Sequence, residues 1–191
     1  MAIIAPKPKE GGDFAPVPPG THQAVCQSVH DLGIQETTFQ GETKRAHKIV
    51  IVWEINERIK DGKFVGERFV VSKRYTLSLH EKSTLRKDLV SWRGRDFTEE
   101  ELGTFDLEKL VGVNCLLSIA QNEKDGKKYT NVASIMGAAK GTEKLIPELA
   151  KEHSFKWIDE IKAKAIAPPP VEMDTSDIPE PPVGNEEEVP F

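Results

Sequence analysis

The chain has 191 residues, 30% of them charged and 38% in the hydrophobic set, with a formal net charge of −5. That length holds one ordinary domain with appendages and not comfortably two. No apolar run approaches the roughly 20 residues that cross a bilayer, and prolines and lysines interrupt the short apolar start, unlike a secretory signal. Cys26 and Cys115, the two cysteines, each fall in an apparent strand. They predict neither a disulfide scaffold nor a cysteine-rich metal site, and a reducing cytoplasm is the expected compartment.

The negative total hides a segregation. Residues 167–191 carry seven acids and no Lys or Arg; setting them aside leaves 26 basic against 24 acidic residues, a net of +2. Within 44–95, 14 Lys or Arg face 6 Asp or Glu, a net of +8. Such asymmetry says more about partners than the total does.

Residues 1–20, rich in Pro, Gly and Lys, read as a flexible lead-in. A folded domain is predicted over 21–141, a helical extension over 142–166, and a disordered acidic, Pro-rich tail over 167–191. That tail has too little apolar surface to offset its ordering entropy.

Within the domain the first signals have period two. Thr21 to Asp31 places Ala24, Cys26 and Ser28 on one face, with Val25 and Val29 on the other. Lys48 to Asn56 alternates Ile49, Ile51, Trp53 and Ile55. Arg68 to Leu79 sets Phe69, Val71, Tyr75, Leu77 and Leu79 against Arg68, Arg74 and Thr76, and Lys60-Asp61-Gly62-Lys63 supplies the preceding turn. The period then changes. Ser83 caps a helix with Leu85, Leu89 and Trp92 on one stripe, and Gly94 stops it. Thr98 with Glu101 fits a capping box, and Asp106 to Val111 forms another helical turn. Strands return at Val113 to Gln121 and Lys128 to Met136, joined by Lys124-Asp125-Gly126. Finally Leu145, Leu149, Phe155, Ile158 and Ile161 fall at roughly helical spacing, in a helix expected to pack on the domain or to form a homodimer.

Three strands, a helical connection and two strands predict a mainly β domain. A five-stranded OB-fold barrel has its helix at that place, although other small β folds share the order. For catalysis the residues offer little. His22, His30, His47, His80 and His153 show no metal-ligand spacing, and no nucleophile elbow or Walker A pattern occurs. Glu99, Glu100 and Glu101 follow an N-cap and complement a helix dipole. No enzyme activity and no cofactor are expected.

Binding chemistry is better represented. Single-stranded nucleic acid is held by cations along the phosphates and by aromatic faces against the bases. Lys44, Arg45 and Lys48 enter the second strand; Arg68, Lys73 and Arg74 lie on the third beside Phe69 and Tyr75. Phe39 is placed near the tip of a loop spanning Gly33 to Arg45, and Lys127, Lys128 and Tyr129 follow strand four. An OB domain presents its strand two–three face and these two loops to its ligand. Trp53 and Trp92 share faces with aliphatic residues and are assigned to the core.

Tyr75 to Ile135 resembles phage-encoded single-stranded DNA-binding proteins of the OB class, a likeness spanning about 20–140. Its landmarks are LRKDLVSWRGR, which adds Arg86, Arg93 and Arg95 to the candidate DNA-binding set, and Leu110-Val111-Gly112. The terminus resembles the acidic tip of bacterial single-stranded DNA-binding proteins, with Glu186, Glu187, Glu188, Val189, Pro190 and Phe191 in its place. A terminal aromatic can fill a pocket while its carboxylate meets a basic group. The resemblance implies a protein that coats single-stranded DNA without strong sequence preference during replication, recombination or repair. It also implies recruitment of other proteins through the tip. RNA binding is a variant of this reading. An OB-like adaptor without nucleic-acid affinity is the alternative if Arg68, Lys73, Arg74 and Tyr75 are dispersed or buried.

Overall fold

The computed structural model describes residues 16–39, 42–124 and 127–167. Five strands form one antiparallel sheet in the order β3-β2-β1-β4-β5: β1 Gly20–Phe39, β2 Glu42–Arg58, β3 Arg68–Thr76, β4 Asn114–Lys124 and β5 Lys127–Gly137. Between β3 and β4 lie α1 (Thr84–Arg93), α2 (Glu99–Leu102) and a 3-10 turn, Leu107–Leu110. A short α3, Lys156–Lys162, follows the sheet. Among the described residues no ladder joins β3 to β5, so the strands make one sheet and not the closed barrel expected. Helix α1 packs against both outer strands.

The inner face carries the main core. Ala24, Cys26, Ile49, Ile51, Trp53, Ile55, Phe69, Val71 and Tyr75 pack there with Leu85, Leu89 and Trp92 of α1. The helix is built as its sequence predicts: the Ser83 hydroxyl accepts from the Arg86 amide, and Gly94 ends it at φ 71°, a conformation that favours glycine. Trp53 lies 6.0 Å from Trp92, and both belong to the core. Cys26 and Cys115 are free and buried, and burial pushes the Cys26 thiol up to about 12.

A bulge corrects the facing in β1. Cys26 opposes Trp53, but Ser28 opposes Val52 and Val29 opposes Ile51. The extra residue, Gln27, turns Ser28 to the outer face and brings Val29 against the core. The expected loop of Gly33 to Arg45 is also corrected. Both strands continue as a two-stranded ribbon out to Phe39 opposite Glu42. Cross-strand pairs hold it: Glu36 to Arg45 at 2.9 Å and Thr38 to Thr43 at 3.1 Å.

The largest departure is at 142–166, where spacing predicts a long helix. Only Lys156–Lys162 is helical; residues 143–150 cross the outer face as an irregular strap. Side chains of the sheet replace the helical hydrogen bonds. Asn114 accepts from the Leu145 amide and donates to its carbonyl, at 2.8 and 2.9 Å. The Glu54 carboxylate accepts the amides of Glu148 and Leu149 at 2.8 and 2.9 Å. Gln23 and Gln27 donate to the carbonyls of Glu143 and Ala150. Beyond the strap, α3 seats Ile158 on Leu32, Val50 and Val52 in a second, outer core. Removing each such side chain from water contributes about 1.5–3 kcal/mol. The chain then returns to the ribbon, where the Ile166 amide donates to Ile34. Gly33, at φ 69°, admits this approach, since a Cβ there would stand 2.9 Å from that of Ala165.

At the N-terminal side, Val17 is buried in the core and its carbonyl accepts from Gln121. The lead-in is thus attached from that residue. Among the described residues no helix is long and apolar enough to cross a membrane.

Candidate nucleic-acid interface

Most of the basic residues singled out by the sequence are engaged with carboxylates. Arg68 is tied to Glu54 at 3.5 Å and Glu148 at 3.2 Å, and it donates to the Ile146 carbonyl. Lys73 pairs with Asp88 at 2.7 Å. Arg86 pairs with Asp96. Arg93 and Arg95 converge on Glu101 at 2.7 and 2.6 Å, with Arg93 also over the Phe97 and Phe105 rings. Lys44 and Arg45 are exposed on the ribbon and pair with Glu42 and Glu36.

Two aromatic assignments are corrected. Tyr75 is only 3% exposed and Phe69 8%, because alternation along β3 turns both toward the inner core. The Tyr75 hydroxyl donates to Asp88 at 2.8 Å. Burial and the Asp88 carboxylate push its phenol well above the usual range. Neither ring has a face to offer a base. Tyr129 is 48% exposed on β5, but it opposes Asn122 at the end of the sheet remote from the ribbon. The side chains of Phe39, Lys127 and Lys128 lie outside the described residues, as does the tip from Glu186 to Phe191.

The Arg86–Arg95 block acquires a structural account. Thr98 and Glu101 form the predicted capping box, and Glu101 simultaneously braces two arginines from the end of α1. Hydrogen bonding from Arg95, then from the Thr98 amide, pushes the Glu101 carboxyl down to about 2, against an ordinary 4.5. A carboxyl depressed on folding stabilises the fold above its unfolded value and loses that contribution as pH falls through its folded value. The melting temperature of the native chain should therefore exceed that of Glu101→Gln above about pH 4.5. The gap should close toward pH 2, and thermal melts over this range check it.

Lys48 and Arg74 differ from the rest of the set. Both point to the outer face, Lys48 opposite Thr76 and Arg74 opposite Val50. They are diagonal neighbours, close enough for two long side chains to meet one ligand. Lys48 donates to the Thr76 hydroxyl at 2.7 Å, and Arg74 lies 6.0 Å from the Trp157 ring centroid. Among the described residues neither has a carboxylate partner. They line a cleft of about 320 Å³ with Leu32, Gln35, Glu36, Thr37 and Ile161. Glu36 is the one acid of that lining, and Arg45 offsets it. The ribbon forms one wall and α3 another. Two cations with nearby hydroxyl and amide groups suit an anionic ligand.

Gln35, Thr37 and Trp157 carry no binding signal in the sequence, where Gly33 to Arg45 reads as a loop and 142–166 as one helix beyond the domain. Glu54 was missed as well. Its signal is a lone carboxylate inside the apolar run KIVIVWEIN, which a buried anchor explains and a solvated strand does not. Comparison of the chain with models of known protein families gives no match, and comparison with curated proteins gives none either.

Proposed function

We propose that the chain is a non-enzymatic single-stranded DNA-binding protein that holds the backbone through Lys48 and Arg74 and tracks it without strong sequence preference. The observation carrying this reading is the cleft between ribbon and α3, where these two cations stand without carboxylate partners while the other described members of the basic set are ion-paired. Exposed Lys44, on the same face of the ribbon as Lys48, extends the positive surface beyond it, since its exposed surface pair with Glu42 is weak and exchangeable. Three antiparallel strands, a helical connection and two further strands support an OB-type relationship, whose ligand face lies on strands two and three. The acidic tip, Glu186 to Phe191, serves in this reading as the docking element for replication or recombination proteins, on the strength of its sequence.

The adaptor reading is favoured by one specific observation: Tyr75 is buried, and Arg68 and Lys73 are engaged. Lys48 and Arg74 oppose it. Labelled single-stranded and duplex oligonucleotides of equal length, titrated with the full chain, separate the two. The single strand should bind more tightly than the duplex. No binding of either would favour the adaptor, and equal affinity for both would contradict the single-strand reading.

A further inference from the structure

We propose that Trp157, on the C-terminal α3, is the base-stacking platform of the cleft, facing the base of a nucleotide whose phosphate Lys48 and Arg74 hold. This rests on the single-strand reading and adds to it a residue outside the strands that OB-type recognition uses.

The three tryptophans have different surroundings. Trp53 and Trp92 are 0% and 5% exposed in the inner core, whereas Trp157 is only partly buried at the edge of the outer one. Trp157 and Ile161 stand four residues apart on α3 and so share one helix face. Ile161 and Arg74 both line the cleft, and Trp157 stands one turn before Ile161 on α3 and beside Arg74. An arginine about 6 Å from the ring centroid is at the outer limit of a cation–π contact. It can turn to a phosphate without abandoning a strong partner.

The platform is also held in place. Phe155 braces the ring, centroids 6.4 Å apart at 49°, and His153 packs on Phe155 in turn. The Gln35 amide, itself part of the cleft, donates to the Leu32 and Ile161 carbonyls at 2.6 and 3.2 Å. That bond ties α3 to the ribbon wall. A rigid aromatic beside two cations is the combination that single strands use, with sequence tolerance because every base has a π-face.

The test uses the full chain with two probes of equal length, an oligo-dT and an abasic deoxyribose-phosphate chain. Oligo-dT should quench the intrinsic fluorescence of the native chain, and the quench should vanish in Trp157→Leu, whose remaining tryptophans are buried. Trp157→Leu should bind oligo-dT about tenfold more weakly or worse while its affinity for the abasic chain is unchanged. Trp157→Phe, which keeps an aromatic face and the packing, should retain most of the oligo-dT affinity and also lose the quench. Unchanged affinity and a persistent quench in Trp157→Leu would overturn the proposal. Equal losses on both probes would do the same, making Trp157 a prop for Arg74. Failure of the native chain to bind either probe would instead sink the single-strand reading itself.

Discussion

Glu54→Ala should destabilise the chain by about 3–5 kcal/mol, the cost of breaking a buried charged arrangement by removing one partner. The carboxylate is 0% exposed, and its two oxygens are divided between the Glu148 and Leu149 amides, with Arg68 alongside. Alanine would leave two backbone donors without their acceptor, while Arg68 would lose its contact at 3.5 Å and keep Glu148 and the Ile146 carbonyl. Glu148 is further held by Arg58 at 2.7 Å, so Glu54 and Arg58, both of β2, hold this part of the strap through a small network. Equilibrium unfolding in denaturant gives the stability loss. Amide hydrogen exchange at Glu148 and Leu149 localises it, since both amides should exchange faster in the variant. A loss below about 1 kcal/mol with unchanged exchange would mean that the strap is held elsewhere.

The same anchor links stability to the proposed site. Strap and α3 form one continuous segment, and α3 supplies a wall of the cleft. Glu54→Ala should therefore weaken DNA binding as well, although Glu54 touches no part of the cleft.

Lys48→Ala combined with Arg74→Ala should lower affinity for single-stranded DNA about a hundredfold at low salt. Hydrogen bonds to a charged group are each worth about 1.5–3 kcal/mol, and a decrease near 3 kcal/mol is about a hundredfold. Both side chains are on the outer face, so the fold should be retained, as circular dichroism and a melt can verify. Arg86→Ala and Arg95→Ala are the controls. Each guanidinium is committed to Asp96 or Glu101, and each substitution should change affinity by less than about threefold. The reverse order of effects would move the interface to the α1 end of the molecule.

How much of this was legible in the sequence depends on how local its causes are. Helix α1 was readable from cap to cap, because Ser83, the Leu85–Leu89–Trp92 stripe and Gly94 lie within one segment. The capping box at Thr98 and Glu101 was readable for the same reason. The strap was not. Its partners, Gln23, Gln27, Glu54 and Asn114, come from distant parts of the chain, and tertiary hydrogen bonds overrode the helical spacing of 142–166. Gln27 in the β1 bulge was equally hidden, since an extra residue reverses the alternation on which facing is judged.

The candidate site was legible in part. Lys48 and Arg74 emerged from the density of charge in 44–95, but so did the arginines that the structure commits to carboxylates. Composition does not distinguish a cation with a partner from one without. Tyr75 shows the opposite failing: period two already set it with Phe69 and Val71, and its flanking cations drew it wrongly toward the ligand. Trp157 gives no such signal, because its segment reads as a helical extension and only the fold brings it beside Arg74.

The most direct test of the central claim is the salt dependence of oligo-dT binding by the full chain and by the Lys48→Ala, Arg74→Ala variant. For the native chain, log K should fall linearly with log salt concentration, since each neutralised phosphate releases counterions. Each single-strand phosphate neutralised adds about 0.7 to the slope, so the variant, lacking two cations, should give a line shallower by about 1.4. A native affinity that does not change with salt, or parallel lines for the two proteins, would contradict the account.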